Sequence, residues 1–143
     1  MLLLAACGGS GGPSHGEFAA DANQICREGE KQVTETVERA QREATSTDPE
    51  QRAADLLDEA TRAYEPILVD LRALDAPADL REDWDAFLDD VNEAYELFPQ
   101  LADATRAGDR DQLGELAERF QEIAGATRPF AENNDLTDCL PEV

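Results

Sequence analysis

Three cysteines and a stripe of carboxylates are the side chains whose types and spacing are best suited to chemistry. The carboxylates recur every three or four residues, so a helix would place them on one face: Glu82, Asp85, Asp89, Glu93 and Glu96. Such a face would attract Ca²⁺ or Mg²⁺ weakly, or meet a basic partner. One helical face offers few convergent oxygens, whereas Ca²⁺ takes about six to eight. The alternative is therefore a solvated face that resists aggregation.

Catalytic patterns are absent from the sequence. His15 is the only histidine, which rules out Glu-x-x-His pairs for a di-iron site and makes a zinc site with several nitrogen ligands unattainable. No Cys-x-x-Cys pair is present for thiol exchange. Ser10 lies in a Gly-x-Ser-x-Gly match, but a nucleophile elbow needs a strand before it and a helix after it. We predict no enzyme, no metal site and no cofactor.

The charge balance limits the partners. The chain has 33 acidic and 12 basic residues out of 143, a net charge of −21. Nucleic acid requires clustered lysine and arginine, so it is excluded as a partner. The charge also favours solubility.

The N-terminus has the pattern of a lipid attachment site. Leu4-Ala5-Ala6-Cys7 resembles the lipobox of bacterial lipoproteins. This resemblance implies that the Cys7 thiol receives a diacylglyceryl group, and two acyl chains give stable anchoring where one does not. Residues 1–6 are then a truncated signal peptide whose start lies upstream, because a secretory signal needs a charged region and a longer apolar stretch. The alternative is an ordinary apolar N-terminus with an unmodified Cys7.

The elements that must position these residues are helical. Residues 7–15 form the lipidated cysteine and a flexible Gly/Ser tether, and residues 16–143 form one domain. Capping residues and apolar stripes at helical spacing mark four amphipathic segments without any strand pattern. We predict an all-α fold, a four-helix up-down-up-down bundle with short connections. The predicted helices run from Gly16 to Ala44, from Pro49 to Leu74, from Leu80 to Gly108, and from Asp109 to a stop at Pro129.

The other two cysteines are expected to meet. In an up-down bundle the fourth helix ends near the start of the first, so the tail can bring Cys139 back to Cys26. We predict this disulfide, which an exported location permits. Two unrelated thiols in a reducing compartment are the alternative.

Two prolines and a set of aromatic residues raise the question of a pocket. Pro66 and Pro99 interrupt the second and third helices, as ordinary kinks or as the cause of a widened pocket. Aromatic side chains at helical spacing form either plain core or the lining of a ligand cavity between these helices; they are Tyr64, Trp84, Phe87, Tyr95 and Phe98. Tyr95 lies one step off the apolar stripe, and we expect its hydroxyl to point outward.

A wider resemblance implies a cellular location. The segments Ile25–Glu28 and Leu71–Arg81, with Cys139 near the end, resemble short lipoproteins of high-GC Gram-positive bacteria. The resemblance implies a cell-membrane, extracytoplasmic location and a small helical fold, but no activity. We predict a membrane-anchored binding or interaction module, held by Cys7, whose partner is an unknown envelope protein or small ligand. The alternative is a low-affinity cation or small-ligand binding protein of the cell envelope.

Overall fold

Four helices, each antiparallel to the next, make up most of the described chain. The computed structural model describes residues 12–140, in which it contains no strand. The predicted all-α up-down-up-down bundle is confirmed. The helices are α1 (His15–Glu43), α2 (Pro49–Arg72), α3 (Arg81–Ala107) and α4 (Arg110–Asn133), followed by a short 3-10 helix (Thr137–Cys139).

The proposed signal segment, Cys7 and the first part of the tether lie outside the described residues. Residues 12–14 lead directly into α1. The helix begins at His15, one residue before the predicted start, because its cap is Ser14.

Side-chain caps begin three of the helices. Ser14 and Glu17 form a reciprocal capping box at α1, and Asp48 accepts from backbone amides at the start of α2. Asp109 accepts from the backbone amide of Gln112 at α4. Each cap satisfies amides that lack a partner within the helix, which is why these residue types predicted the three starts to within one residue.

The ends of α3 and α4 share one geometry. Gly108 has φ of 64° and Asp135 has φ of 56°. In both cases the next amide bonds back to a carbonyl five residues earlier, from Asp109 to Ala104 and from Leu136 to the last turn of α4. This is the Schellman arrangement, which needs a left-handed residue. Glycine adopts that conformation without strain, and aspartate tolerates it better than most residues.

Pro129 does not end α4, so that prediction is wrong. The helix continues to Asn133 with the proline inside it. Pro129 faces solvent, as do Pro66 in α2 and Pro99 in α3. A proline removes one backbone donor, and on the outer face water can bond the carbonyl that loses it. Buried Ala131 beyond the proline holds the last turn against the core.

The helices pack in chain order, and the bundle is open on its fourth side. α2 packs between α1 and α3, and α4 packs on α3. No Cα of α1 comes within 8 Å of a Cα of α4. The apolar core is therefore continuous among all four helices only near the start of α1, where Trp84 contacts Phe18, Phe87 and Phe130. Towards the other end, a second cluster joins α3 and α4 alone.

The C-terminal tail closes part of the open side. Cys26 and Cys139 form the predicted disulfide, with Cα atoms 5.1 Å apart. Asn23 of α1 donates to the Asp135 carbonyl at 2.7 Å and accepts from the Asp138 amide at 3.0 Å. Leu136 is fully buried between these contacts. The tail thus joins α1 to the end of α4, where the two helices do not meet directly.

Gly29 allows α1 and α2 to approach closely, and its replacement tests that packing. A Cβ at Gly29 would lie 2.6 Å from Ile67 Cγ1. We expect Gly29→Ala to destabilise the fold by about 1–2 kcal/mol, because overpacking outweighs the gain in helix propensity. Urea denaturation followed by circular dichroism measures the change. Gly114→Ala in α4 is the control: nothing lies within 4 Å of its Cβ position, so only the propensity gain of up to about 1 kcal/mol remains. Equal shifts for both variants would contradict the close approach.

Candidate functional site

A cavity of about 320 Å³ lies along the open side of the bundle. All four helices and the tail contribute to its lining. Its rim includes exposed Glu30 of α1, half-buried Ala124 of α4, and Leu140 of the tail. The cavity therefore exists because α1 and α4 stand apart above the point where the tail joins them.

The walls of the cavity are mainly apolar. Aliphatic side chains from three helices line it: Ile67, Leu71, Val91 and Ile123. Aromatic rings complete the wall: Tyr64, Phe87, Tyr95, Phe98 and Phe120. The rings support one another, with Tyr64 and Tyr95 stacked at 4.3 Å between centroids and Phe98 and Phe120 at 6.0 Å. Binding pockets in helical bundles have this composition and are built from facing helices in this way.

The predicted aromatic set divides between two places. Tyr64, Phe87, Tyr95 and Phe98 line the cavity, whereas Trp84 belongs to the core below it and is absent from the lining. Pro66 and Pro99 face solvent and do not line the cavity. Residues close to them in sequence do line it: Tyr64 and Ile67 on either side of Pro66, and Phe98 directly before Pro99. The cavity thus lies at the level of both prolines, although neither lines it.

The ring of Tyr95 lies in the cavity wall, stacked on Tyr64, and the outward direction of its hydroxyl stays a prediction. Burial raises its pKa well above the usual range, with a smaller contribution from Tyr64. Because α3 packs against both α2 and α4, a residue one step off its apolar stripe is still covered. The pKa of Tyr64 is raised too, chiefly by burial and then by the negative charge of Glu30. Among residues 12–140, Trp84 Nε1 is the only buried side-chain nitrogen or oxygen without a hydrogen-bond partner, so neither tyrosine hydroxyl is a buried, unpartnered group.

These two tyrosines, the only ones in the chain, predict an alkaline transition. The folded state holds their protons more tightly than the unfolded state, so this contribution to stability is complete below pH 10 and is lost as pH rises towards the raised values. We expect a loss of up to about 1.4 kcal/mol per tyrosine for each pH unit above 10. Tyrosinate absorbance at 295 nm and circular dichroism should then change together. In guanidinium, ionisation should occur near the ordinary pKa. Ionisation of the folded protein near pH 10 with unchanged dichroism would contradict the partial burial of these two tyrosines.

Two of the five carboxylates in the α3 stripe have arginine partners on neighbouring helices. Asp89 pairs with Arg72 of α2 at 3.5 Å, and Glu93 pairs with Arg119 of α4. The other three stripe residues are exposed: Glu82, Asp85 and Glu96. Within residues 12–140, no group of three or more His, Cys, Asp or Glu side chains is placed to hold a metal ion. The arrangement offers little to a cation, because two of its carboxylates already have arginine partners.

A second hollow, of about 420 Å³, lies between the end of α1 and the start of α2. It is strongly charged, and Arg39, Arg52 and Arg62 are interspersed with acidic side chains such as Glu59. Arg62 already pairs with Glu59 at 2.7 Å. With opposite charges mixed along its walls, this hollow selects no particular ligand charge.

Glu30 and Phe120 are cavity residues that the sequence patterns did not single out. Glu30 is exposed and follows buried Gly29, so it lies at the edge of the buried face of α1. Its spacing is that of an ordinary surface glutamate, and the sequence gives no signal for its place at the cavity. Phe120 belongs to the apolar stripe of α4 and is indistinguishable by spacing from a core residue.

In comparisons with known proteins, no family model, no curated protein and no solved structure matches this chain. Between residues 12 and 140, none of the helices combines the length and the hydrophobicity of a membrane span.

Proposed function

We propose that this protein is a lipid-anchored, extracytoplasmic binding protein that holds a small, largely apolar ligand in the cavity between α1 and α4. The observation that carries the proposal is the cavity itself, an apolar, aromatic-lined space beside helices that do not close on each other. Its role is binding rather than catalysis.

The composition of the cavity supports a small ligand over a cation. Apolar walls gain from covering an apolar surface, and a few polar groups then set orientation. Tyr64 and Tyr95 line the cavity, and their hydroxyls are suited to that second role. The stripe on α3 offers no comparable enclosure, because Glu82, Asp85 and Glu96 are exposed.

The proposed location rests on the N-terminus and the disulfide. The Leu-Ala-Ala-Cys pattern ending at Cys7 favours lipid attachment. The Cys26–Cys139 bond supports an extracytoplasmic location, because disulfides persist in oxidising compartments. A tether of a few glycine and serine residues would hold the bundle close to the membrane surface.

Binding is tested with a neutral apolar fluorophore, N-phenyl-1-naphthylamine. We expect saturable enhancement of its fluorescence with one probe per chain. Ala124→Phe, which adds a ring at the cavity wall, should abolish the signal, whereas Ala117→Phe on the exposed side of the same helix should leave it unchanged. Absence of saturable binding, or equal binding by both variants, would overturn the ligand-binding role.

Anchoring is tested separately by cell fractionation. The full coding sequence, including the upstream region, is expressed in a bacterial host that processes lipoproteins. We expect the protein to stay with the membrane, Cys7→Ser to release it, and Ser10→Ala in the same segment to have no effect. Intact mass of the purified protein should include the diacylglyceryl group. An unmodified Cys7 thiol with equal partitioning of all three forms would overturn the anchor.

A further inference from the structure

The charged groups at the cavity are all of one sign. Its lining contains two carboxylates, Glu30 and Asp138, and, within the described part of the chain, no lysine, arginine or histidine. Asp138 is already paired with Arg27. Glu30 has no ion-pair partner among residues 12–140. The mouth of the cavity thus presents one unneutralised carboxylate beside apolar walls.

The position of Glu30 brings this charge close to aromatic surface. Its carboxylate acts on Tyr64, whose pKa it helps to raise. Tyr64 is stacked on Tyr95, and Phe98 lies 5.6 Å from the Tyr64 ring and 5.7 Å from the Tyr95 ring. Aromatic faces attract cations through the ring quadrupole, most strongly where water is excluded. The carboxylate and the rings therefore favour the same sign of ligand charge.

The charge of the whole molecule acts in the same direction. A net charge of −21 raises the concentration of cations near the surface and repels anions. An anionic ligand would also place its charge beside Glu30, where the two like charges repel each other. A neutral ligand would fill the walls but leave the carboxylate without a partner.

We propose that the cavity takes an apolar organic ammonium, a ligand with a hydrophobic body and one cationic amine. The body lies against the aromatic and aliphatic walls, and the ammonium lies at the mouth beside Glu30. The volume of about 320 Å³ suits a body of one or two fused rings. This inference rests on the binding role proposed above and adds the chemical class of the ligand.

Three probes with the same body and different charge test the inference by calorimetry at pH 7: naphthalen-2-ylmethylamine, naphthalen-2-ylmethanol and 2-naphthoate. We expect the amine to bind up to about fivefold more tightly than the alcohol, because a charge-assisted hydrogen bond to exposed Glu30 adds to the same apolar contact. The carboxylate should bind most weakly.

Two matched variants separate local charge from net charge. Glu30→Gln should weaken binding of the amine by up to about fivefold, the limit for an exposed ion pair, and leave binding of the alcohol unchanged. Glu28→Gln changes the net charge by the same amount on the same helix, but Glu28 is not part of the lining. The affinity for the amine should therefore fall by less than about twofold, because an exposed charge away from the cavity is screened. Both residues are exposed, and circular dichroism confirms that the variants are folded.

The outcomes distinguish this inference from the proposed function. Similar affinity for all three probes, or equal loss of amine binding in both variants, would overturn the ammonium assignment and leave a cavity that binds apolar ligands generally. Binding of none of the probes, by a protein that also fails to bind the neutral fluorophore, would overturn both proposals.

Discussion

Removing the disulfide is expected to destabilise the protein by about 2–5 kcal/mol, because Cys26 and Cys139 close a very long loop in the unfolded chain. The two cysteines are 113 residues apart in sequence. The bond also holds the tail against α1 at the place where α1 and α4 do not meet. Its loss should therefore affect the closure of the bundle as well as the unfolded state.

The measurement is urea denaturation of two proteins that both carry Cys7→Ser, which prevents thiol exchange. One keeps the disulfide, and the other also carries Cys26→Ser and Cys139→Ser. Arg27→Ala is a matched control at the same place, since it removes only an exposed ion pair to Asp138, worth at most about 1 kcal/mol. A loss no larger than that of Arg27→Ala would contradict a stabilising role for the bond.

Replacing Trp84 is the second change with a large expected effect. Its side chain is 2% exposed, contacts Phe18 edge to face at 4.9 Å, and stacks on Phe87 at 5.4 Å. We expect Trp84→Ala to cost about 3–5 kcal/mol through lost burial and the cavity left behind. This is the only region where the core joins all four helices, so the surroundings have little freedom to collapse.

Trp84→Phe should cost much less than Trp84→Ala. The indole Nε1 is buried without a hydrogen-bond partner among residues 12–140, and an unpartnered buried donor destabilises by about 1–3 kcal/mol. Phenylalanine removes this group and keeps most of the aromatic contact, so we expect a net change within about 1.5 kcal/mol. Unfolding is followed by circular dichroism, because Trp84 is the only tryptophan and its replacement removes the tryptophan fluorescence signal. A phenylalanine variant as unstable as the alanine variant would indicate that the indole N–H is satisfied in solution.

Several features of the fold were predictable because their causes are local. Ser14, Asp48 and Asp109 cap helices through amides two or three residues away, and Gly108 ends α3 within the same short range. Apolar residues at helical spacing predicted the inward faces. The Cys26–Cys139 pair followed from topology, since an up-down order of four helices brings the tail near the start of α1.

The features that the local sequence did not predict depend on what lies beside a residue. Pro129 is tolerated inside α4 because its outer face meets water and buried Ala131 holds the next turn. Tyr95 is covered because α3 has a neighbour on each side. Neither circumstance is encoded within a few residues of the position concerned.

The sequence by itself determined that this protein is helical, where its helices begin, which cysteines pair, and that it is strongly acidic. Only the tertiary structure decided that α1 and α4 stand apart, that the tail joins them, and that Glu30 lies beside Tyr64 at the mouth of a cavity. The physical reason is the distance along the chain over which each interaction acts. Helix caps and periodicity act through neighbours along the chain, whereas the distance between the first and last helices depends on side-chain volumes across the whole bundle and on the tail that packs between them.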